Sequence, residues 1–353
     1  MKVNYVLQRR WIMVLILIIG LILFNSCARK IYEVTYPTLL DGKYDSEFPY
    51  RSSSKQLEEI GASVKMLSVI AFYKNNIIAE YAILTEAGLS DAIIETNTIE
   101  ITRSNTSASG TATIINYTER RIALLTCAHI IDFPDTVISY HMSDDSNNSF
   151  IKNIAVKERQ INYISDLPEG GDIDIVFMDS ELDIAIVGKQ LTHEPDFPIK
   201  VLEYPFGKAG ELEWGSFVYL MGFPVGHKMI TKGIVSSPRM DRNTAFMIDA
   251  PFNRGSSGGI VLAIRDGIPN FELVGLANSV SATTNYLLAP EDDIDYAEWD
   301  KDVPYKGQMY LRQQESIRYG VTHIIAIEAI IKTLKKNHKK LLAQGYDFSA
   351  ILN

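Results

Sequence analysis

Thr111-Ala-Thr-Ile-Ile115 and Arg121-Ile-Ala-Leu-Leu-Thr126, separated by the mostly polar residues Asn116 to Arg120, are short runs dense in β-branched and other apolar residues. Runs this short, bounded by turns, read as strands, because a buried helix needs a longer periodic stretch. The pattern recurs on either side. Upstream stands Val64 to Tyr73; downstream come Ile173 to Met178, Asp183 to Val187, Phe217 to Met221, Ile230 to Ser236, Ala245 to Asp249, Gly259 to Ala263 and Glu272 to Ala277. Many short strands without amphipathic helices between them indicate an all-β barrel or sandwich class. The exception is the end of the chain. Apolar residues at Ile327, Ile331 and Leu334, followed by Leu341 and Leu342, predict a helix over about 327–344 that buries one face.

The strands fall into two groups, about 61–195 and 205–326, that meet where Pro195 to Pro205 and Gly207 to Gly210 form a connector. Beyond the start of the last helix, the roughly 25 remaining residues are too few for a further domain of ordinary size, such as a PDZ module. The 353 residues carry a formal charge of −9. That balance repels a phosphate backbone and argues against nucleic acid as a partner. The lysines from Lys332 to Lys340 read as the solvated face of the final helix, where cations complement the helix dipole. Two cysteines, Cys27 and Cys127, lie in segments of different kinds and form no disulfide framework. The six histidines show no metal-ligand spacing, so neither a metal nor another cofactor is expected.

Lys2, Arg9 and Arg10 precede an uncharged apolar run from Trp11 to Phe24. As a helix it rises about 21 Å, short of the roughly 30 Å hydrocarbon core. A basic start and a short apolar core describe an export signal better than a spanning helix. The following Leu23-Phe-Asn-Ser-Cys27 resembles the lipobox of bacterial lipoproteins, which implies lipidation at Cys27; the alternative is an uncleaved signal anchor. Either way residues 1–27 tether an exported protein to the bacterial envelope, and the polar residues 28–60 read as a spacer.

Three local motifs stand out. Thr126-Cys-Ala-His129 ends a strand, Asp179-Ser-Glu-Leu-Asp183-Ile-Ala-Ile-Val187 begins another, and Gly255-Ser-Ser-Gly-Gly259 forms a glycine-rich turn. A serine hydroxyl becomes a useful nucleophile when an imidazole takes its proton and a carboxylate braces the imidazole. Glycines beside the serine let amides turn toward a developing oxyanion. These motifs resemble the T-A-A-H, D-[LI]-A-[LIV]-[LIV] and G-N-S-G-G segments of chymotrypsin-like serine proteases of the HtrA group. Further matches are Met221-Gly-Phe-Pro-Val-Gly226, Thr231-Lys-Gly-Ile-Val-Ser236, Leu273-Val-Gly-Leu276 and Ala326-Ile-Glu-Ala329, so the similarity spans roughly residues 63–345.

The resemblance implies two six-stranded antiparallel β-barrels with a C-terminal helix, and peptide-bond hydrolysis through an acyl-enzyme. It implies Ser257 as nucleophile, His129 as general base and then acid, Asp183 as orienting carboxylate, and the amides of Gly255 and Ser257 as the oxyanion hole. Asp172, Asp174 and Asp179 compete with Asp183, and Ser256 with Ser257; the motif contexts favour the latter of each. Pro251, Phe252, Ala277 and Gly320 are the implied pocket residues, and the apolar Pro251 disfavours cleavage after Lys or Arg. Ser256 stands where digestive relatives carry an Asp that pairs with a freshly cut N-terminus, so activation by such a cut is not expected. Residues 280–314 form an insertion with seven acids that is either a solvated excursion or a lid, and residues 74–108 a second, unassigned one. The competing reading is a protease-like scaffold that binds or senses without cleaving. An α/β-hydrolase esterase is disfavoured because its triad runs Ser, acid, His.

Overall fold

A computed structural model describes residues 40–49, 51–86, 89–141, 150–240, 244–290 and 307–352. The apolar run 11–24, Cys27 and the acidic core of the 280–314 insertion lie outside these residues. Among the described residues no helix is long and apolar enough to cross a membrane.

The first group of strands comprises β1 (Val64–Ile78), β2 (Thr98–Thr118), β3 (Arg121–Thr126), β4 (Thr136–Tyr140), β5 (Ile151–Tyr163), β6 (Asp174–Asp179) and β7 (Ile184–Gln190). They form one antiparallel sheet in the order β4-β5-β1-β2-β3-β7-β6. The second group is β8 (Phe217–Gly222), β9 (Met229–Met240), β10 (Ala245–Ile248), β11 (Ile260–Ile264), β12 (Phe271–Ala289) and β13 (Tyr310–Ala326). These close into a barrel in the order β10-β13-β12-β11-β8-β9. The expected all-β class with a C-terminal helix is therefore present, as one closed six-stranded barrel and one curled seven-stranded sheet, consistent with the chymotrypsin-like fold.

Helix α1 (Ser54–Ser63) leads into β1, and a short helix α2 (Asp91–Asn97) leads into β2. Within residues 74–108, β1 and β2 run on as one ribbon to either side of α2, with Lys74 paired to Arg103 and Asn76 to Ile101. Likewise β12 and β13 extend past the barrel to Ala289 and Tyr310. Helix α3 (Ile327–Ala343) follows β13 directly and buries Ile327, Ile330, Leu334 and Leu341. Leu342, expected on the buried face, is exposed; Ala329 and Thr333 complete that face instead. The helix's lysines at 332, 335, 336, 339 and 340 point to solvent. A last short helix, α4 (Ser349–Leu352), ends the described chain.

Residues 41–48, part of the expected spacer, are strapped onto the second barrel. Tyr44 is buried, and its hydroxyl donates to Glu272 at 2.6 Å. Arg265 stacks over the Tyr44 ring with its guanidinium carbon 4.0 Å from the centroid and bonds Glu272 at 3.0 Å. Phe48 packs on Phe217 at 5.1 Å between ring centroids.

The core explains why these runs became strands. Leu124, Leu125, Ile184, Ile186 and Val187 on one side, and Val218, Ile260, Leu262, Leu273 and Leu276 on the other, are all fully buried. At about 25 cal/mol per Å² of apolar surface, each such side chain contributes roughly 1.5–3 kcal/mol.

Candidate active site

Strand β3 ends at Thr126, and a single turn of 3₁₀ helix from Ala128 to Ile130 follows. Because β3 pairs antiparallel with β7, with Thr126 opposite Ala185, the residues just after β3 and just before β7 emerge at the same edge. His129 and Asp183 occupy those positions. The His129 amide donates to Asp183 Oδ1 at 2.7 Å, and His129 Nδ1 lies 2.7 Å from Asp183 Oδ2. One carboxylate thus holds both the backbone and the ring of the same histidine. The Asp183 side chain is 16% exposed and that of His129 46%, so the acid is sheltered while the imidazole faces outward.

Asp183 has φ +55, a left-handed conformation that Asp tolerates better than most residues. Its carbonyl accepts from Ala128 N at 3.3 Å, and the turn before it closes where Leu182 N donates to Asp179 Oδ1 at 3.1 Å. Of the competing acids, Asp179 is therefore spent on its own turn. Asp174 on β6 pairs with Gly188 of β7, at the end of that strand opposite to Asp183, and Asp172 bridges Tyr163.

Ser257 stands on the tight turn between Asn253 and Gly259 that feeds β11. Gly255 has φ +95, and a Cβ there would come within 2.3 Å of the Phe223 carbonyl. Gly258 has φ +78, and a Cβ there would sit 2.0 Å from the Thr111 carbonyl. Both positions demand glycine, each by its φ and by close packing against a backbone carbonyl. Ser256 is buried; its amide donates to Asn253 O at 2.9 Å and its hydroxyl accepts from Asn253 N at 3.3 Å. That hydroxyl is engaged inside the turn. Ser257, half-buried, donates its Oγ–H to the Asn278 carbonyl at 3.0 Å, not to His129.

The carbonyl of Arg254 accepts from Val225 N at 2.8 Å and that of Gly255 from Thr111 Oγ1 at 2.8 Å. Among the described residues the amides of Gly255 and Ser257 donate to no protein group, while those of Ser256, Gly258 and Gly259 do. Val225 itself carries φ +47, costly for a β-branched residue, at the turn Met221–Gly226. Strain there is tolerated because the turn holds the Arg254 carbonyl.

The two halves are tied together around this point. Thr111 N donates to Ser257 O at 2.7 Å, and Thr126 Oγ1 donates to Thr111 O at 2.7 Å. Cys127 Sγ lies 3.4 Å from the Ala277 carbonyl. Burial, with the nearby Asp183 charge adding to it, pushes the Cys127 thiol well up, so it stays protonated as a small buried side chain. Cys127, His129 and Asp183 offer ligand-type atoms within 4.8 Å of one another, but both Asp183 oxygens already accept from His129.

The expected pocket residues are distributed unevenly. Ala277 is fully buried beside the serine turn: Gly258 N donates to its carbonyl at 2.8 Å, and its own amide donates to Gly259 O at 2.7 Å. Phe252 is buried, whereas Pro251 is exposed. Gly320 is exposed, has φ +91, and faces open space. Thr322 donates to the Ala250 carbonyl at 2.8 Å, which brings the Pro251 and Gly320 segments alongside each other. Sequence reading missed Asn278, Arg254, Val225 and Thr111. Nothing in the sequence set Thr111 apart, because Thr113 on the same strand is equally buried.

Residues 110–276 match the family model of the trypsin-like peptidase domain. The match covers just under half of the 353 residues and includes His129, Asp183 and Ser257. No curated protein matches the chain. The domain match and the fold together support a chymotrypsin-like serine protease.

Proposed function

We propose that the protein is a serine endopeptidase in which Ser257 attacks the substrate carbonyl, His129 takes the serine proton and returns it to the leaving amine, and Asp183 braces the imidazole. The amides of Gly255 and Ser257 stabilise the tetrahedral oxyanion. The observation that carries this reading is the doubly bonded His129–Asp183 pair, at 2.7 Å on both contacts, beside a serine turn with two unengaged amides. The carboxylate fixes the Nδ1–H tautomer and leaves Nε2 free to act as base. Acylation forms the Ser257 Oγ–carbon bond and breaks the peptide C–N bond; water then releases the acid half by the reverse proton path.

The cleavage preference we propose is for small or aliphatic residues before the scissile bond, since no acid is offered at Pro251 to pair with Lys or Arg. Activity needs no N-terminal cut, because Ser256 has no charge and its hydroxyl is engaged with Asn253 N at 3.3 Å. We further propose that Cys27 or the apolar run 11–24 tethers the enzyme to the bacterial envelope, facing the periplasm or exterior, where it processes or clears proteins. Incorporation of labelled palmitate, lost in Cys27→Ala, supports the lipid anchor; unchanged incorporation in that variant contradicts it.

A non-cleaving binding scaffold has one observation in its favour, the Ser257 hydroxyl directed to Asn278 O at 3.0 Å. Catalytic contacts are often loose before substrate arrives, which keeps the protease reading ahead. A fluorescent fluorophosphonate separates the two. The protease account expects labelling that Ser257→Ala abolishes; folded wild-type protein that takes no label favours the scaffold.

A further inference from the structure

Thr111 lies on β2, in the half of the molecule that does not contain the serine, and is fully buried. Its hydroxyl donates to the Gly255 carbonyl at 2.8 Å and accepts from the Phe223 amide at 2.9 Å. Its amide donates to the Ser257 carbonyl at 2.7 Å, and its carbonyl accepts from Thr126 Oγ1 at 2.7 Å, three residues before His129. All three polar groups of one residue, through four hydrogen bonds, are therefore spent on the two turns and the strand that hold the site. A Cβ at Gly222 would come within 2.9 Å of the Thr111 hydroxyl, so that side chain is closely confined.

We propose that Thr111 is a positioning residue for the oxyanion-binding amides, an inference that rests on the protease reading above. Carbonyls and amides of a peptide unit point in opposite directions, so fixing a carbonyl fixes the neighbouring amide. The Arg254 carbonyl is held by Val225 N, the Gly255 carbonyl by Thr111 Oγ1 and the Ser257 carbonyl by Thr111 N. The Gly255 amide shares its peptide unit with the Arg254 carbonyl, and the Ser257 amide shares its unit with the Ser256 carbonyl, which Gly259 N holds at 2.9 Å. Thr111 fixes the units on both sides of the latter, so the amides of Gly255 and Ser257 keep their direction before substrate binds. The Phe223 N–H to Thr111 Oγ1–H to Gly255 carbonyl relay also welds the Met221–Gly226 turn to the serine turn. Removing the hydroxyl leaves a buried carbonyl and an amide without their partner, and the serine turn is then free to rotate a peptide. Such a residue acts on the transition state and not on ground-state binding.

The test is the rate at which a fluorophosphonate labels the full-length protein. In that reaction the Ser257 Oγ–phosphorus bond forms, the P–F bond breaks, fluoride leaves, and the serine proton passes to His129. Thr111→Val keeps the shape and deletes the hydroxyl; Thr111→Ser keeps the hydroxyl. The expected result for Thr111→Val is a saturating labelling rate about tenfold or more below wild type, with the half-saturating probe concentration changed by no more than about twofold. Thr111→Ser is expected to stay within about threefold of wild type in both. Folded Thr111→Val that labels at the wild-type saturating rate overturns the proposal, even if its melting temperature has fallen, because that is what a purely structural role gives. Should Thr111→Val fail to fold, Thr111→Ser is compared with Thr111→Ala, and equal rates in that pair overturn it. Folded wild-type protein that takes no label at all overturns the protease reading, and this inference with it.

Discussion

His129 and Asp183 come from one sheet and already touch, whereas Ser257 comes from the other barrel and its hydroxyl rests on Asn278 at 3.0 Å. The difference follows from how each is held. The acid–base pair depends on the register of two neighbouring strands, Thr126 opposite Ala185, which the burial of Leu124, Leu125 and Ile186 fixes firmly. The serine's relation to the histidine crosses the junction between two separately folded sheets, where Thr111, Cys127 and Gly258 make the contacts. One half is preassembled. In the proposed mechanism a substrate displaces the Asn278 bond and so completes the alignment of the other.

The largest effects test whether the three residues act as a unit. Ser257→Ala or His129→Ala is expected to lower kcat by about 10⁶. Asp183→Asn leaves the geometry but offers the wrong tautomer, and a loss of about 10⁴ is expected. Steady-state cleavage of a peptide library measures both. Asp183→Asn with undiminished turnover breaks the comparison at its root, because the preassembled half is then not part of the machinery.

Next comes the junction. Gly258→Ala places a Cβ 2.0 Å from the Thr111 carbonyl at a residue with φ +78. Thermal unfolding is expected to show a loss of about 3 kcal/mol or more. A fully stable Gly258→Ala protein means that the two sheets are not as tightly apposed as the contact at Thr111 requires.

The smallest effects separate the halves by pH, and with opposite signs. Asp45 on the strap of the second barrel is pushed up from 3.8 to about 6, chiefly by burial, with Glu47, Asp266 and Asp41 nearby adding to it and the Gly267 amide opposing. The folded state therefore prefers the neutral acid, so its contribution is full below pH 3.8 and is lost as pH rises through about 6. Because Asp45 is only half-buried, the change is about 1 kcal/mol, well below the full pKa conversion. Glu169, in the first half, is held down at about 2 by the Thr192 hydroxyl and the amides of Thr192 and His193. Its contribution is present above pH 4.5 and lost as pH falls toward 2. Hydrogen exchange is expected to show the 264–267 amides better protected at pH 4 than at pH 7, with the difference removed by Asp45→Asn. The Thr192 and His193 amides behave in the opposite sense, losing protection on acidification. Identical pH responses at the two places contradict this separation.

Strands that are apolar and buried along nearly their whole length were legible from the chain. Arg121 to Thr126 stands as read, whereas Asp183 to Val187 loses its first residue, since Asp183 closes a left-handed turn ahead of β7, and runs on to Gln190. The ribbon through residues 74–108 was not legible. Lys74, Asn75, Asn76, Arg103, Ser104 and Asn105 lack apolar alternation, and they are strand because each finds a partner across the ribbon. The same reasoning covers the strap at Tyr44, whose burial depends on Glu272 and Arg265 far along the sequence. Of the site, the motif residues were found through resemblance, and His129 and Asp183 do lie together. Thr111 and Asn278 were beyond reach for a physical reason: their role is made by contacts 144 and 21 residues away.

The most direct measurement is a crystal structure of the phosphonylated protein. The account predicts the Ser257 Oγ bonded to phosphorus and released from Asn278, with one phosphonyl oxygen about 2.7–3.1 Å from the amides of both Gly255 and Ser257. His129 is expected to remain on Asp183. A phosphonate on another residue, or an oxygen turned away from both amides, contradicts it.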